Sequence, residues 1–175
     1  MPPRFTLARR RAAELLTEGQ IRKAPVPIER LAELVNATVR YEPFAGDQLS
    51  GMVHRRKDGR AVIGVNSLDA PTRRRFTIAH EIGHLVLHKN EQFHVDEKFP
   101  IGLRNEVSSL AVDEKEIEAN QFAAELLMPP HLITKDIEEL PADIEAEDAI
   151  SRLARLYQVS IQAMTIRLST LGILA

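Results

Sequence analysis

The sequence predicts an α+β fold that is mostly helical, with a small three-stranded twisted sheet packed on one buried helix and a C-terminal helical hairpin resembling a helix-turn-helix. Three observations carry that expectation. The stretch from Pro71 to Asn90 sets Phe76, Ile78, Ala79, Ile82, Leu85, Val86 and Leu87 around most of a helical circumference, the pattern of a buried helix. Three segments rich in β-formers, Ala37–Tyr41, Leu49–Arg55 and Arg60–Val65, stand just before it, and Asp58-Gly59 between the last two favours a tight hairpin turn. Beyond it, residues 113–130 and 149–174 repeat apolar side chains at helical spacing.

From the N-terminus, residues 6–17 read as a helix with Leu7, Ala12, Leu15 and Leu16 inward and Arg9, Arg10 and Arg11 on a solvated face. Pro25 and Pro27 mark a boundary, and Ile28–Val35 follows as a short helix. The strand Ala61–Val65 is the candidate to border a cleft, where an exposed edge could pair with an extended peptide. Asp69 is placed to cap the long helix, and Pro71 is tolerated in its first turn. Residues 89–106, with His94, Asp96 and Arg104, read as a loop. Ser109 or Asp113 can cap the next helix, whose early acidic residues suit the helix dipole and which Pro129-Pro130 stops. A short helix over His131–Glu138 and an acidic linker over 141–147 lead to the final hairpin, turned at Gln158-Val159, capped by Ser160 and closed by Gly172. The expected division is a domain over residues 1–140 and a helix-turn-helix-like segment over 141–175.

A chain of 175 residues, 44% of them hydrophobic, can bury a core of its own. A net charge of −2 gives no overall basic field toward nucleic acid or membrane. The absence of cysteine excludes disulfides and thiolate metal sites. No secretory signal and no membrane-spanning run of apolar residues is visible, so the chain reads as a soluble cytoplasmic protein.

The chemistry concentrates on the long helix. His80 and His84 stand four apart, so both imidazoles leave one face a turn apart and can hold one zinc ion. Glu81 is rotated by one residue and can reach a water beside the metal without ligating it, the role of a general base. Two histidines leave a catalytic zinc one protein ligand short, and Glu114, Glu118 or Glu125 on the following helix can supply a carboxylate. Glu118 is the choice, because small Ala119 and Ala123 beside it allow close approach to the His80 helix. His88 continues the same helix but cannot easily converge with His80 and His84 on one tetrahedral ion, so it reads as packing or as a partner of the ligands. His131, His94 and Tyr157 are candidates to stabilise an oxyanion. The C-terminal hairpin offers Arg152, Arg155 and Arg167 to a nucleic acid, fewer cations than a reader helix needs, and reads as structural.

The segments Arg75-Phe76-Thr77-Ile78-Ala79-His80-Glu81-Ile82-Gly83-His84-Leu85-Val86-Leu87-His88 and Glu118-Ala119-Asn120-Gln121-Phe122-Ala123-Ala124-Glu125-Leu126-Leu127-Met128-Pro129 together resemble the ImmA/IrrE-type metallopeptidases. The Val62–Asn66 strand and the segment from Val159 to Gly172 are similar to the same family. The resemblance implies a zinc endopeptidase of the gluzincin type, with Glu118 as third ligand by motif position. It implies a protein substrate as well, a helix-turn-helix repressor whose cleavage switches mobile-element transfer, a stress response or a toxin–antitoxin-like pair. A rival from another class is a non-proteolytic zinc-containing regulator that binds a repressor or DNA. The lack of cysteine and the position of Glu81 favour the enzyme.

Overall fold

The apolar circumference of the Pro71 helix finds partners on both sides. The computed structural model describes residues 3–44, 49–89, 93–97, 110–141 and 144–174. Its elements run α1 (Phe5–Glu18), α2 (Ile28–Leu34), β1 (Ala37–Glu42), β2 (Leu49–Arg55), β3 (Ala61–Asn66), α3 (Pro71–Leu87), β4 (Phe93–Glu97), α4 (Leu110–Leu127), α5 (Pro130–Glu138), α6 (Ala146–Tyr157) and α7 (Ile161–Thr170). The fold is α+β and mostly helical, with α3 packed on α4 on one side and on β2 and β3 on the other. Ile63, Ile78, Ile82, Phe122, Leu126, Leu153, Tyr157 and Met164 belong to one buried cluster, so the C-terminal hairpin shares the core of the site-bearing helices.

The sheet has four strands among the described residues, not three, in the order β1-β3-β2-β4. β1 runs parallel to β3, and β2 pairs antiparallel with both β3 and β4. The extra strand falls in the segment expected to be a loop. Five residues with polar His94 and Asp96 give little intrinsic strand signal, and pairing with β2 rather than composition makes them extended. This corrects a second expectation: β3 is filled on both flanks, so the strand at the edge beyond β2 is β4. The Asp58-Gly59 hairpin forms as its chemistry requires, with Gly59 at φ +83° and the Arg56 N–H donating to the Arg60 carbonyl at 2.8 Å.

Several helix ends differ by a residue or more. Ala70, not Asp69, occupies the N-cap of α3, because Pro71 takes the first helical position. Asp113 lies inside α4 rather than capping it, while Ser109 and Arg104 fall outside the described residues. Glu147 and Asp148 belong to the first turn of α6, where their charges suit the dipole, so the acidic linker is shorter than expected. Ser160 caps α7 by accepting from the Ala163 N–H at 3.1 Å, and Gly172 follows that helix at φ +71°.

Two contacts fix α3 where it stands. Arg55 of β2 donates to the carbonyls of Leu85 at 2.6 Å and His84 at 3.3 Å, satisfying acceptors that the helix end leaves open. On the opposite side Gly83 meets α4 so closely that an added Cβ would lie 3.1 Å from the Ala119 Cα. The two helices approach backbone to backbone at the height of the histidines.

Candidate metal centre

Helical spacing on α3 brings the His80 and His84 Nε2 atoms to 3.0 Å from each other. From α4, Glu116 sets Oε2 at 3.1 Å from His80 Nε2 and Oε1 at 3.2 Å from His84 Nε2. From β4, His94 Nε2 lies 3.3 Å from Glu116 Oε1. One ligand atom from each of these four residues falls within 4.8 Å of the others. His80 and His84 are 2% and 1% exposed, so the donors converge inside the protein.

The spacing tests whether a metal fits. In a tetrahedral zinc site with bonds of about 2.0–2.1 Å, neighbouring donor atoms stand about 3.3 Å apart. The four distances above lie close to that edge length. The donor chemistry agrees: burial pushes the His84 imidazole down to about 4, against the pull of Glu116, and leaves it neutral and able to ligate. For Glu116 burial acts upward, but its close contacts with the His80 and His84 nitrogens outweigh it and hold the carboxyl well below the usual carboxylate range. Neutral imidazoles and an ionised carboxylate form a ligand set for a divalent cation. Asn120 Oδ1 sits 3.0 Å from His80 Nδ1; because a carbonyl oxygen only accepts, the proton is on Nδ1 and Nε2 turns its lone pair toward the centre.

The expected third donor, Glu118, does not join them. It is 4% exposed and accepts three hydrogen bonds from Arg4, from the backbone N–H at 2.7 Å, Nε at 3.0 Å and Nη2 at 2.8 Å. Burial acts to raise its carboxyl, but those bonds and the Arg4 charge hold it below its usual value. Residues two apart on a helix point about 200° apart, so Glu116 and Glu118 cannot both face α3. Helix α4 therefore has two working faces. Glu116, Ala119 and Asn120 meet α3, whereas Glu118 and Glu125 turn to Arg4 and Arg9 at the start of the chain.

Glu81 is fully buried beneath β2, and a Cβ built on Gly51 would lie 3.1 Å from its Oε1 and 2.3 Å from Thr77 Cγ2. The missing side chain at Gly51 makes room for the carboxylate. His88 is 6% exposed and sits beside α4, with Nε2 3.3 Å from the Lys115 carbonyl oxygen and 3.8 Å from Glu118 Oε2. Of the three oxyanion candidates, the structure brings His94 to the cluster. Tyr157 is fully buried and donates to Asp136 at 2.5 Å, and His131 is exposed on α5.

Sequence reasoning missed Glu116 and Asn120, and it offered His94 as an oxyanion candidate rather than as one of the clustered donors. The signal for the first two was present: the small residues Ala119 and Ala123 mark the face of closest approach, and stepping back three from Ala119 reaches Glu116. No comparable signal marked His94, whose place depends on strand pairing.

Of the three hairpin arginines, Arg152 and Arg155 are exposed on α6 and Arg167 turns inward. Arg167 is 3% exposed and grips Glu125 with two bonds, at 3.0 and 2.6 Å, while its Nε donates to the Met128 carbonyl. On α7, Ile161 and Ile166 are the exposed large side chains instead.

Fold and site define a metallopeptidase-like α+β domain with a candidate centre for a divalent metal. The chain belongs to the IrrE N-terminal-like domain family, whose sequence model matches residues 32–169. Among solved structures it is similar to a Mycobacterium tuberculosis transcriptional regulator, with a TM-score of 0.62 and 21% identity, a likeness of fold. That alignment covers 93% of this chain and 46% of the regulator, so the chain spans less than half the length of that relative. No curated protein matches the sequence. No helix among the described residues is long and apolar enough to cross a membrane.

Proposed function

We propose that the protein is a zinc-dependent endopeptidase acting on a helix-turn-helix transcriptional repressor in the cytoplasm. The observation that carries the reading is the convergence of His80, His84 and Glu116 at tetrahedral spacing, with Glu81 next in sequence to one of them and fully buried. His80, His84 and Glu116 would hold the ion, in place of the set with Glu118. When bound, zinc acidifies water and polarises a carbonyl. Glu81 accepts the proton of the attacking water and delivers it to the departing amine, the general-base and then general-acid role. Asn120 fixes the tautomer of His80, and burial keeps the His84 imidazole neutral for ligation.

Family membership supports the peptidase chemistry, and a structural relative that is a transcriptional regulator is in keeping with a substrate drawn from transcriptional control. The test incubates purified, zinc-loaded protein with the helix-turn-helix repressor encoded nearest to it and follows cleavage by mass spectrometry. Cleavage that a chelator abolishes and zinc restores is the expected result. Tight binding of the repressor with no cleavage at any zinc level would sink the enzyme and favour a non-proteolytic regulator. One observation gives that second reading its weight: four protein donors surround the centre, as in closed structural sites.

A further inference from the structure

We propose that His94 is a fourth, displaceable ligand, which holds the metal centre closed in the resting protein and must leave for water and substrate to enter. The inference rests on the metal reading above and goes beyond it. Its ground is the geometry: His94 Nε2 stands 3.3 Å from Glu116 Oε1, a tetrahedral edge like the other three, and its ligand atom lies within 4.8 Å of those of His80, His84 and Glu116. Catalytic zinc sites keep one position free of protein, whereas four protein donors close the shell. A peptidase with four donors in reach has to give one up.

Of the four, His94 is the one built to go. His80 and His84 share α3 and Glu116 sits on α4, and those helices meet backbone to backbone at Gly83 and Ala119. Moving any of these three would separate two core helices. His94 is carried by a five-residue strand that, among the described residues, pairs with β2 alone, and a register shift interrupts that ladder near Gly51. Bulged, singly paired strands yield at lower cost than packed helices. Its ring also stacks on that of His84, with centroids 3.6 Å apart and planes at 20°. Stacked rings send their in-plane lone pairs side by side, so ligation of one ion by both requires the rings to splay. The other three donors stand on packed helices and His94 on a singly paired strand, so its bond is the one given up.

The experiment exploits a chain with no cysteine. In cobalt-loaded protein, His94→Cys places a thiolate at the proposed position, and a sulfur-to-cobalt charge-transfer band is expected. His94→Ala should weaken cobalt and zinc affinity at least tenfold, measured against a chromophoric chelator. In the wild-type protein loaded with magnetic cadmium, nitrogen NMR should show cadmium coupling to His94 as well as to His80 and His84, a readout independent of any variant's folding. Absence of the thiolate band, unchanged affinity in His94→Ala, or a His94 ring without cadmium coupling would each overturn the proposal. Saturating the cadmium form with the repressor substrate should remove the coupling to His94 and keep those to His80 and His84, and a His94 coupling that survives saturation would overturn the displaceable role. If wild-type protein took up no cobalt at all, the metal reading itself would fall; cobalt held by His80 and His84 alone among the imidazoles sinks only the fourth ligand.

Discussion

Exchanging the two neighbouring acids of α4 separates the metal face from the clamp face. In Glu116→Gln the charge that faces three imidazole nitrogens at 3.1, 3.2 and 3.3 Å is removed while the side-chain shape is kept. Loss of an outer partner of a zinc ligand costs about 10–100-fold in affinity, so loss of a ligand charge should cost at least ~100-fold, or about 2.7 kcal/mol. Glu118→Gln removes a charge from Arg4 instead. Its three bonds from that arginine are short, and charge-assisted bonds are worth about 1.5–3 kcal/mol each when buried. Arg4 is 52% exposed at its side chain, so solvent screens the pair toward the ~0.2–1 kcal/mol of surface ion pairs. A net loss of about 1 kcal/mol in stability is expected, with zinc affinity unchanged within about threefold. Competition against a chromophoric chelator reads the first quantity and urea denaturation of the metal-free proteins the second. Zinc affinity lost in Glu118→Gln and kept in Glu116→Gln would refute the assignment of faces on α4.

Three further outcomes follow from the same coordinates. Glu81→Gln should retain zinc and lose about 10²–10⁴-fold in cleavage rate, and undiminished proteolysis by the purified variant would remove Glu81 from the mechanism. Gly51→Ala puts a methyl 2.3 Å from the buried Thr77 Cγ2 above Glu81, so it should cost about 1–3 kcal/mol in a thermal melt and slow cleavage without altering the zinc ligands. Both tyrosines should resist ionisation at pH 10. Burial and the hydrogen bond to Glu29 push Tyr41 up to about 12, and burial with the bond to Asp136 pushes Tyr157 higher still. Neutral phenols are favoured in the fold, so their contribution is complete below pH 10 and fades as pH rises through 12. An ultraviolet titration showing tyrosinate near pH 10 in folded protein would contradict the hydrogen bonds to Glu29 and Asp136 that hold the two phenols neutral.

What the sequence revealed and what it hid divide along a physical line. His80, Glu81 and His84 lie within one turn and a half of one helix, and helical spacing alone fixes their relation. The hairpin at Asp58-Gly59 and the Ser160 cap are equally local, and both are found as expected. Glu116 required the rotation of one helix against another, which the small Ala119 three residues on marks only indirectly. His94 required a strand that exists through its pairing with β2, and no local preference announces such a segment.

Helix α4 shows why the sequence points to Glu118 while Glu116 stands beside the histidines. Its acids were read as one reservoir of carboxylates, yet each is committed to a different neighbour by its angle on the helix. Glu116 faces α3, Glu118 takes Arg4, and seven residues on, Glu125 takes Arg9 and the buried Arg167. Two of the three therefore bind arginines from distant parts of the chain, and those pairs hold the rotation that presents the third to the histidines. Arg167→Met tests that logic: a Glu125 left buried without its bidentate partner should cost about 3–5 kcal/mol, while adding Glu125→Leu should restore much of the loss. If the single variant costs under about 1 kcal/mol, the Glu125 pair does not anchor α4, and the orientation of Glu116 must come from the Arg4–Glu118 clamp and the Gly83–Ala119 contact.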